Sequence, residues 1–251
     1  TEPYSKQFIN NLKSKNKFHS VLKIKLPKKL KFRIFSKELL KEKFNLIVIA
    51  LSLPGINFIS KELKNIKNKT PILILTKGLK YDKKRNKILT ISEQIKIDTK
   101  NKNISVLKGP CLAKELAKKN QTKVIIANKN INIAKKIGKL ISTNYYLVEY
   151  STDIIGVEVC SAIKNIYAMV IGAGQSLNMS SSLFQKSLLE MKYLTKYFNG
   201  KETTVESLAG VGDLYVSAAG GRNSKMGDYL GKGFTFKTCL LYTSPSPRDG
   251  T

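Results

Sequence analysis

The chain has 251 residues, of which 42% are apolar, enough to bury a core and too many for a disordered chain. Its formal charge of +28 would suit a polyanionic partner, yet 41 of the basic residues are lysine and four are arginine (Arg33, Arg85, Arg222, Arg248), whereas base-edge readers lean on the planar fork of Arg. Lysine beside abundant Ile and Asn is what an AT-rich coding sequence places on a solvated surface, so no specific nucleic-acid partner is expected; a basic nucleic-acid-binding protein is the alternative from a different class.

Residues 1–43 mix basic and apolar residues with little regularity, apart from a strand at Leu30–Phe35 and a short helix after Ser36. Asn45–Leu53 (NLIVIALSL) is a dense apolar run ended by Pro54-Gly55, the pattern of a strand buried on both faces of a parallel sheet. Its apolar centre is about eight residues long, too short to span a membrane, and no leader precedes it, so neither a membrane span nor targeting is expected. Ile56–Ile66 has helical periodicity, Pro71–Thr76 (PILILT) is a second buried strand, and Ile91–Ile97 is helical. Ile104–Leu107, Lys123–Ala127 and Tyr145–Val148 read as further strands, with helices at about Cys111–Lys119 and Asn130–Ile141 between them. This alternation predicts a Rossmann-like, doubly wound α/β domain over residues 1–150. From Ser151 onward the pattern is helical: Ile155–Leu177, Ser182–Phe198, then shorter pieces around Thr204–Leu208, Asp213–Ser217 and Ser224–Leu230. An all-α domain is therefore expected over residues 151–238. Residues 239–251 (CLLYTSPSPRDGT) lack periodicity and read as a non-native tail resembling translated adapter sequence; a native disordered tail is the alternative.

Chemistry has few carriers here. The one histidine, His19, lies in the least organised stretch, which argues against a His triad, shuttle or metal site. Cys111, Cys160 and Cys239 lie far apart without C-x-x-C spacing, against zinc and a disulfide framework and in keeping with a reducing cytoplasm. Acid–base work then falls to lysine or carboxylate groups. Lys164 stands in IGVEVCSAIKNIYAMVIGAG, among apolar and small residues that would partly desolvate it and lower its pKa; the alternative is a lysine reaching to solvent from an interdomain helix. Lys77 follows PILILT and precedes Gly78, at the strand edge where open α/β sheets bind ligands, or simply in a surface turn. Gly109-Pro110 ends a strand just before a helix, where free N–H groups can hold an anion. Asp213 follows a glycine-spaced turn, and Gly220-Gly221 precedes Arg222-Asn223 at a helix start, either an anion site or a plain turn capped by Asn223.

Taken in order, TKGL (Thr76–Leu79), GPCLAKELA (Gly109–Ala117), IGVEVCSAIKN, and LAGVGDL followed by GGRN resemble the bacterial-type NAD(P)-dependent sn-glycerol-3-phosphate dehydrogenases over nearly all of residues 40–237. The resemblance implies hydride transfer between a small phosphorylated substrate and NAD or NADP, in the service of phospholipid synthesis. It matches Lys164 to the family's proton donor or acceptor, Lys77 to a lysine near the reacting carbonyl and the cofactor, and Ala113 to a cofactor contact. Gly109, Asp213 and Asn223 match substrate contacts, and Arg222 matches a residue near both phosphate and cofactor. Cys111 stands where a serine is usual, and Gly221 is a backbone contact in a slightly shortened loop. The G-x-G-x-x-G turn of a dinucleotide-binding domain is missing from the sequence. The chain is accordingly expected to begin just after the family's second strand, to lack the first strand, glycine-rich turn and later helices, and to bind cofactor poorly. Another two-domain dehydrogenase of the hydroxy-acid type is the alternative within enzymes. A homodimer is compatible with the sequence, which does not set the oligomeric state or the choice between NADH and NADPH.

Overall fold

The computed structural model describes residues 6–13, 17–19, 22–64 and 70–242. Thr1-Glu2, where the family's second strand was expected to have just ended, lie outside these residues. The first elements are α1 (Lys6–Lys13), a small antiparallel ribbon of β1 (Phe18–His19) and β2 (Ile24–Lys25), and a 3-10 turn at Lys37–Lys41 after Ser36. The strand expected at Leu30–Phe35 does not form. Leu30 and Ile34 remain exposed, and Phe35 instead meets Phe58 edge-on with ring centroids 5.2 Å apart.

The next elements are β3 (Ile47–Ile49), α2 (Leu53–Leu63), β4 (Ile72–Ile74), the hairpin β5 (Leu79–Asp82) and β6 (Lys87–Thr90), and α3 (Ile91–Thr99). They are followed by β7 (Ile104–Lys108), α4 (Ala113–Ala117), β8 (Thr122–Ala127), α5 (Ile131–Ile141) and β9 (Tyr146–Ser151). Five of these strands make one sheet in the order β3-β4-β7-β8-β9. The first three run parallel, as the apolar runs predict. β8 turns antiparallel to β7, which departs from a uniformly wound sheet, and β9 is parallel to β8. The connection between β7 and β8, residues 109–121, carries only the five-residue α4. The β5/β6 hairpin was not read from the sequence: its strands, LKYD and KILT, are only four residues each, too short for a period to stand out. Its last residue, Thr90, opens α3 with a capping box: Thr90 Oγ1 accepts from Glu93 N–H and Glu93 accepts from Thr90 N–H.

Alternate residues of the sheet fill two cores, as the two-residue period of a strand requires. Ile72, Ile74, Ile104 and Val106 face α2 and α3, while Leu73, Leu107, Val124 and Ile126 meet Ala134 and Ile137 of α5. Beyond β9 every described element is helical: α6 (Ile154–Gly172), α7 (Leu177–Tyr197), a 3-10 turn (Glu202–Glu206), a π-helical turn (Leu208–Gly212), α8 (Asp213–Ala218), α9 (Arg222–Gly231) and α10 (Phe236–Tyr242). Residues 239–242, read from sequence as the start of a structureless tail, complete α10, with Cys239 buried; residues 243–251 lie outside the described residues. α6 is long and apolar enough to cross a membrane on those two measures alone. Twelve of its residues, including Glu158 and Lys164, are nevertheless buried against protein, which makes it the core helix of this half. It crosses α9 with the two backbones in contact. A β-carbon added to Gly227 would lie 1.8 Å from the carbonyl oxygen of Met169, so only glycine fits that crossing.

Candidate active site

Asp153 begins the construction by capping α6. Its carboxylate accepts from the N–H of Gly156 (3.0 Å), the N–H of Lys201 (2.8 Å) and the hydroxyl of Thr204 (2.6 Å), which fixes the helix start against the following turn. Along the buried side of α6 comes Lys164, 7% exposed. Its ammonium donates to Asp213 Oδ1 and to Ser217 Oγ (2.8 Å), both on α8. Asp213 is itself buried, and its other carboxylate oxygen accepts from Lys77 Nζ at 2.7 Å. Lys77 approaches from the carboxyl end of β4 and keeps its side chain 36% exposed, so it forms the open side of the cluster. Gly78 behind it has φ +136°, a backbone that glycine accepts readily.

Two ammonium groups thus share one buried carboxylate. The pKa of Lys164 is pushed down to about 8, chiefly by burial; Asp213 pulls it back up and the like charge of Lys77 presses it down. An amine that titrates there, held by a carboxylate and a hydroxyl, can give or take a proton near neutral pH.

The remaining sequence-predicted residues stand on α4 and α9 and in the turns after β7 and before α9. Gly109, with φ +115°, is wedged between β8 and the π-helical turn: a β-carbon there would lie 3.3 Å from Val124 Cα and 3.6 Å from the Leu208 carbonyl oxygen. Cys111 is exposed; partial burial raises its thiol pKa, with Lys77 opposing and Asp213 reinforcing the shift, so it stands as a neutral thiol within electrostatic reach of the cluster. Ala113 is the exposed first residue of α4. Gly221, not Asn223, stands at the cap of α9, and its N–H donates to the carbonyl of Ser217 at 3.0 Å. The loop 217–221 therefore ties the partner of Lys164 to the helix on which Arg222 and Asn223 sit. Among the described residues neither of those two side chains makes a hydrogen bond, and Arg222 is exposed. A cleft of about 430 Å³ beside the end of β9, lined by Glu149, Thr152, Lys201 and Ser207 among others, does not include Lys164. Among the described residues no three His, Cys, Asp or Glu side chains gather as a metal site.

Sequence reasoning missed three participants. Ser217 gave no signal, because its hydroxyl becomes a partner only when α8 packs on α6. Lys108 and Glu158 are both about 2% exposed. Lys108 donates to the carbonyl oxygen of Thr76, and Glu158 accepts from the N–H and hydroxyl of Ser92 at the start of α3. The signal available was their charge within otherwise apolar strings, VLKGP and GVEVC.

The same chain can be set beside known proteins. Residues 3–134 match the family described as NAD-dependent glycerol-3-phosphate dehydrogenase N-terminus, and residues 153–244 match the corresponding C-terminus. An NADP(+)-dependent glycerol-3-phosphate dehydrogenase of Archaeoglobus fulgidus is 33% identical over 143 residues, 53% of this chain and 43% of that protein. A glycerol-3-phosphate dehydrogenase [NAD(P)+] of Levilactobacillus brevis is 38% identical over 136 residues, 52% of this chain and 40% of the relative. The matched stretch thus spans about two fifths of these curated relatives. The crystal structure of a glycerol-3-phosphate dehydrogenase from Coxiella burnetii superposes with a TM-score of 0.84 at 26% identity, covering 98% of this chain and 76% of that one.

Proposed function

The chain belongs to the NAD-dependent glycerol-3-phosphate dehydrogenase family, and on that premise we propose that it carries the substrate-binding and proton-transfer machinery for interconverting sn-glycerol 3-phosphate and dihydroxyacetone phosphate. The observation that carries this reading is the convergence of Lys164 and Lys77 on the buried Asp213. Reduction of a ketone needs a hydride at carbon and a proton at oxygen. The nicotinamide of NAD or NADP supplies the hydride when bound. Lys164, entering as the ammonium, donates a hydrogen bond to the carbonyl oxygen and passes its proton to the alkoxide as charge develops there. Asp213 keeps Lys164 aimed, and Lys77 balances its charge from the open side. Ser217 gives the ammonium a second acceptor, so the amine left after transfer stays in place until it is reprotonated. Gly109 offers close backbone approach, and Arg222 and Asn223, at the start of α9 with unengaged side chains, hold the phosphate, converting remote binding energy into orientation of the reacting carbon.

The residues fit one end of the dinucleotide better than the other. Lys77, the exposed Ala113 and Arg222 lie at the carboxyl ends of strands and at helix starts, where a nicotinamide and its ribose would rest. The G-x-G-x-x-G turn that would cradle the pyrophosphate is not in the sequence. Substrate recognition is therefore the sharper test. Calorimetry of the chain should show glycerol 3-phosphate binding more tightly than either glycerol or inorganic phosphate, and dihydroxyacetone phosphate should drive oxidation of NADH or NADPH supplied in large excess, as the missing pyrophosphate turn requires. Equal affinity for the three ligands would overturn the reading. A reducing cytoplasmic setting for this activity is in keeping with three cysteines that stand far apart in the sequence, without C-x-x-C spacing.

A further inference from the structure

Lys108 is the last residue of β7 and one of the largest fully enclosed side chains in the molecule. Burying an ammonium is costly unless its donors are satisfied, so its partners disclose what it holds. The parallel ladder between β4 and β7 stops at the pair Ile74 and Val106. Beyond that pair β7 continues to Lys108 while β4 ends, and the chain runs through Thr76 into Lys77. Lys108 reaches across: its Nζ donates to the carbonyl oxygen of Thr76 and more distantly, at 3.5 Å, to that of Ile74. The other side of Thr76 is also fixed. Its hydroxyl donates to the Leu51 carbonyl at 2.8 Å and accepts from the Leu51 N–H at 3.2 Å, tying it to the end of β3. Thr76 is thus clamped from both flanking strands, directly before the lysine that reaches Asp213.

We infer that Lys108 is a positioning residue of the site: its ammonium holds the Thr76 carbonyl and thereby fixes the backbone from which Lys77 reaches Asp213. Lys108 does not itself touch Asp213 or Lys164. Burial lowers its pKa to about 8 while Glu158, on α6, and Asp213, on α8, favour its charged form and Lys77 opposes it. Glu158 in turn is anchored on Ser92 of α3. Lysine rather than an apolar residue stands at the end of this buried strand because a carbonyl pair and two nearby carboxylates need a cation with a long reach. An apolar side chain of equal length would leave the Thr76 carbonyl buried and without its donor.

The test compares Lys108→Met, Lys108→Gln and Lys108→Arg in the full chain, each alone and combined with Lys77→Met. Amide hydrogen exchange requires no ligand and judges the inference by itself. Lys108→Met should speed exchange at least tenfold over residues 76–80 while the amides of α5 keep their rates, and Lys108→Arg should restore most of the protection. Unchanged rates at 76–80, or acceleration spread evenly over the sheet, would overturn the positioning role. If Lys108→Met does not fold, Lys108→Gln is read instead: its side chain is one bond shorter and uncharged, so exchange over residues 76–80 should still rise above the wild-type rate, by less than in the apolar variant, and unchanged rates there would overturn the role. The second measurement rests on the proposed function: Lys108→Met should weaken glycerol 3-phosphate about tenfold with Lys77 present and less than threefold once Lys77 is Met. Equal losses in both backgrounds would mean that Lys108 does not act through Lys77. A wild-type chain that ignores glycerol 3-phosphate would sink the functional reading and leave the exchange result to decide on Lys108.

Discussion

Replacing Asp213 by Asn keeps the side chain's shape and removes the carboxylate shared by Lys164 and Lys77. Breaking a buried ion pair ordinarily costs about 3–5 kcal/mol, because a charge is left without its partner. Lys164 has an escape from that penalty, since it can shed its proton. Its pKa is already down at about 8, so losing the proton at pH 7 costs about 1.4 kcal/mol, one unit of proton affinity. Lys77 is 36% exposed, and solvent screening holds its contribution to about 1 kcal/mol or less. The expected loss of stability at pH 7 is therefore about 1.5–2.5 kcal/mol, about half the usual figure. The pH dependence has a definite sign. The folded pKa of Lys164 lies below its ordinary value of 10.5, so this group penalises the native protein fully below about pH 8, and the penalty is relieved as pH rises from there toward 10.5. In Asp213→Asn the folded pKa falls further, relief begins at lower pH, and the gap to wild type narrows by about 1.4 kcal/mol per unit on approach to pH 8. Urea-unfolding midpoints taken between about pH 6 and pH 9 should show the gap widest at the acid end and nearly closed at the alkaline end. A gap that is constant over the range, or widest at about pH 9, would refute the coupling of Asp213 to a titrating Lys164.

The same pKa predicts opposite limbs for the two directions of turnover. Carbonyl reduction needs Lys164 protonated and should fall as pH rises through about 8, whereas alcohol oxidation needs the free amine and should rise there; kcat profiles bending the same way would contradict its role. Lys164→Ala should lower kcat by about two to four orders of magnitude, and single-turnover kinetics that stay within about tenfold of wild type would remove it from the chemistry. Arg222→Ala should raise KM for dihydroxyacetone phosphate about 10- to 100-fold and leave turnover of phosphate-free dihydroxyacetone unchanged; a parallel loss on both substrates would take Arg222 off the phosphate. Gly227→Ala forces a β-carbon to within 1.8 Å of the Met169 carbonyl oxygen, so calorimetric unfolding should show a loss of about 1–3 kcal/mol or more as α9 lifts from α6.

How far the sequence reaches depends on where each signal is encoded. NLIVIALSL and PILILT announce strands because a strand buried on both faces must be apolar at every position, a local property. The reversal of β8 is not local. It lies in how β8 pairs with β7 across the sheet, which periodicity does not report. Lys164 stood out because a cation in an apolar helix is improbable without a purpose, and Lys77 because it follows a buried strand. Ser217 lacked any such contrast, being one small polar residue among many. Lys108 had the contrast but was read as the residue after a strand ending at Leu107; the true strand includes it, and a buried Lys108 differs chemically from a turn lysine. A one-residue boundary shift, usually harmless, here hid a charged group.

That distinction also explains why composition misleads. The +28 charge is spread over a chain with 41 lysines, and among the described residues Lys108 and Lys164 are the buried ones. Exposed ammonium groups are screened within about 8 Å at physiological ionic strength, so they raise the general attraction for anions without selecting one. Buried ones are shielded from counterions and bear directly on Asp213, Glu158 and the Thr76 carbonyl. The hydrogen bond that Lys164 offers a carbonyl oxygen should therefore depend little on salt, whereas the exposed Arg222 that holds the phosphate is screened. Raising ionic strength ought to weaken glycerol 3-phosphate binding while kcat for dihydroxyacetone phosphate at saturation persists. A kcat that falls with salt would return the explanation to the lysine-rich surface, and would make the buried cluster a structural device instead of the proton-transfer site.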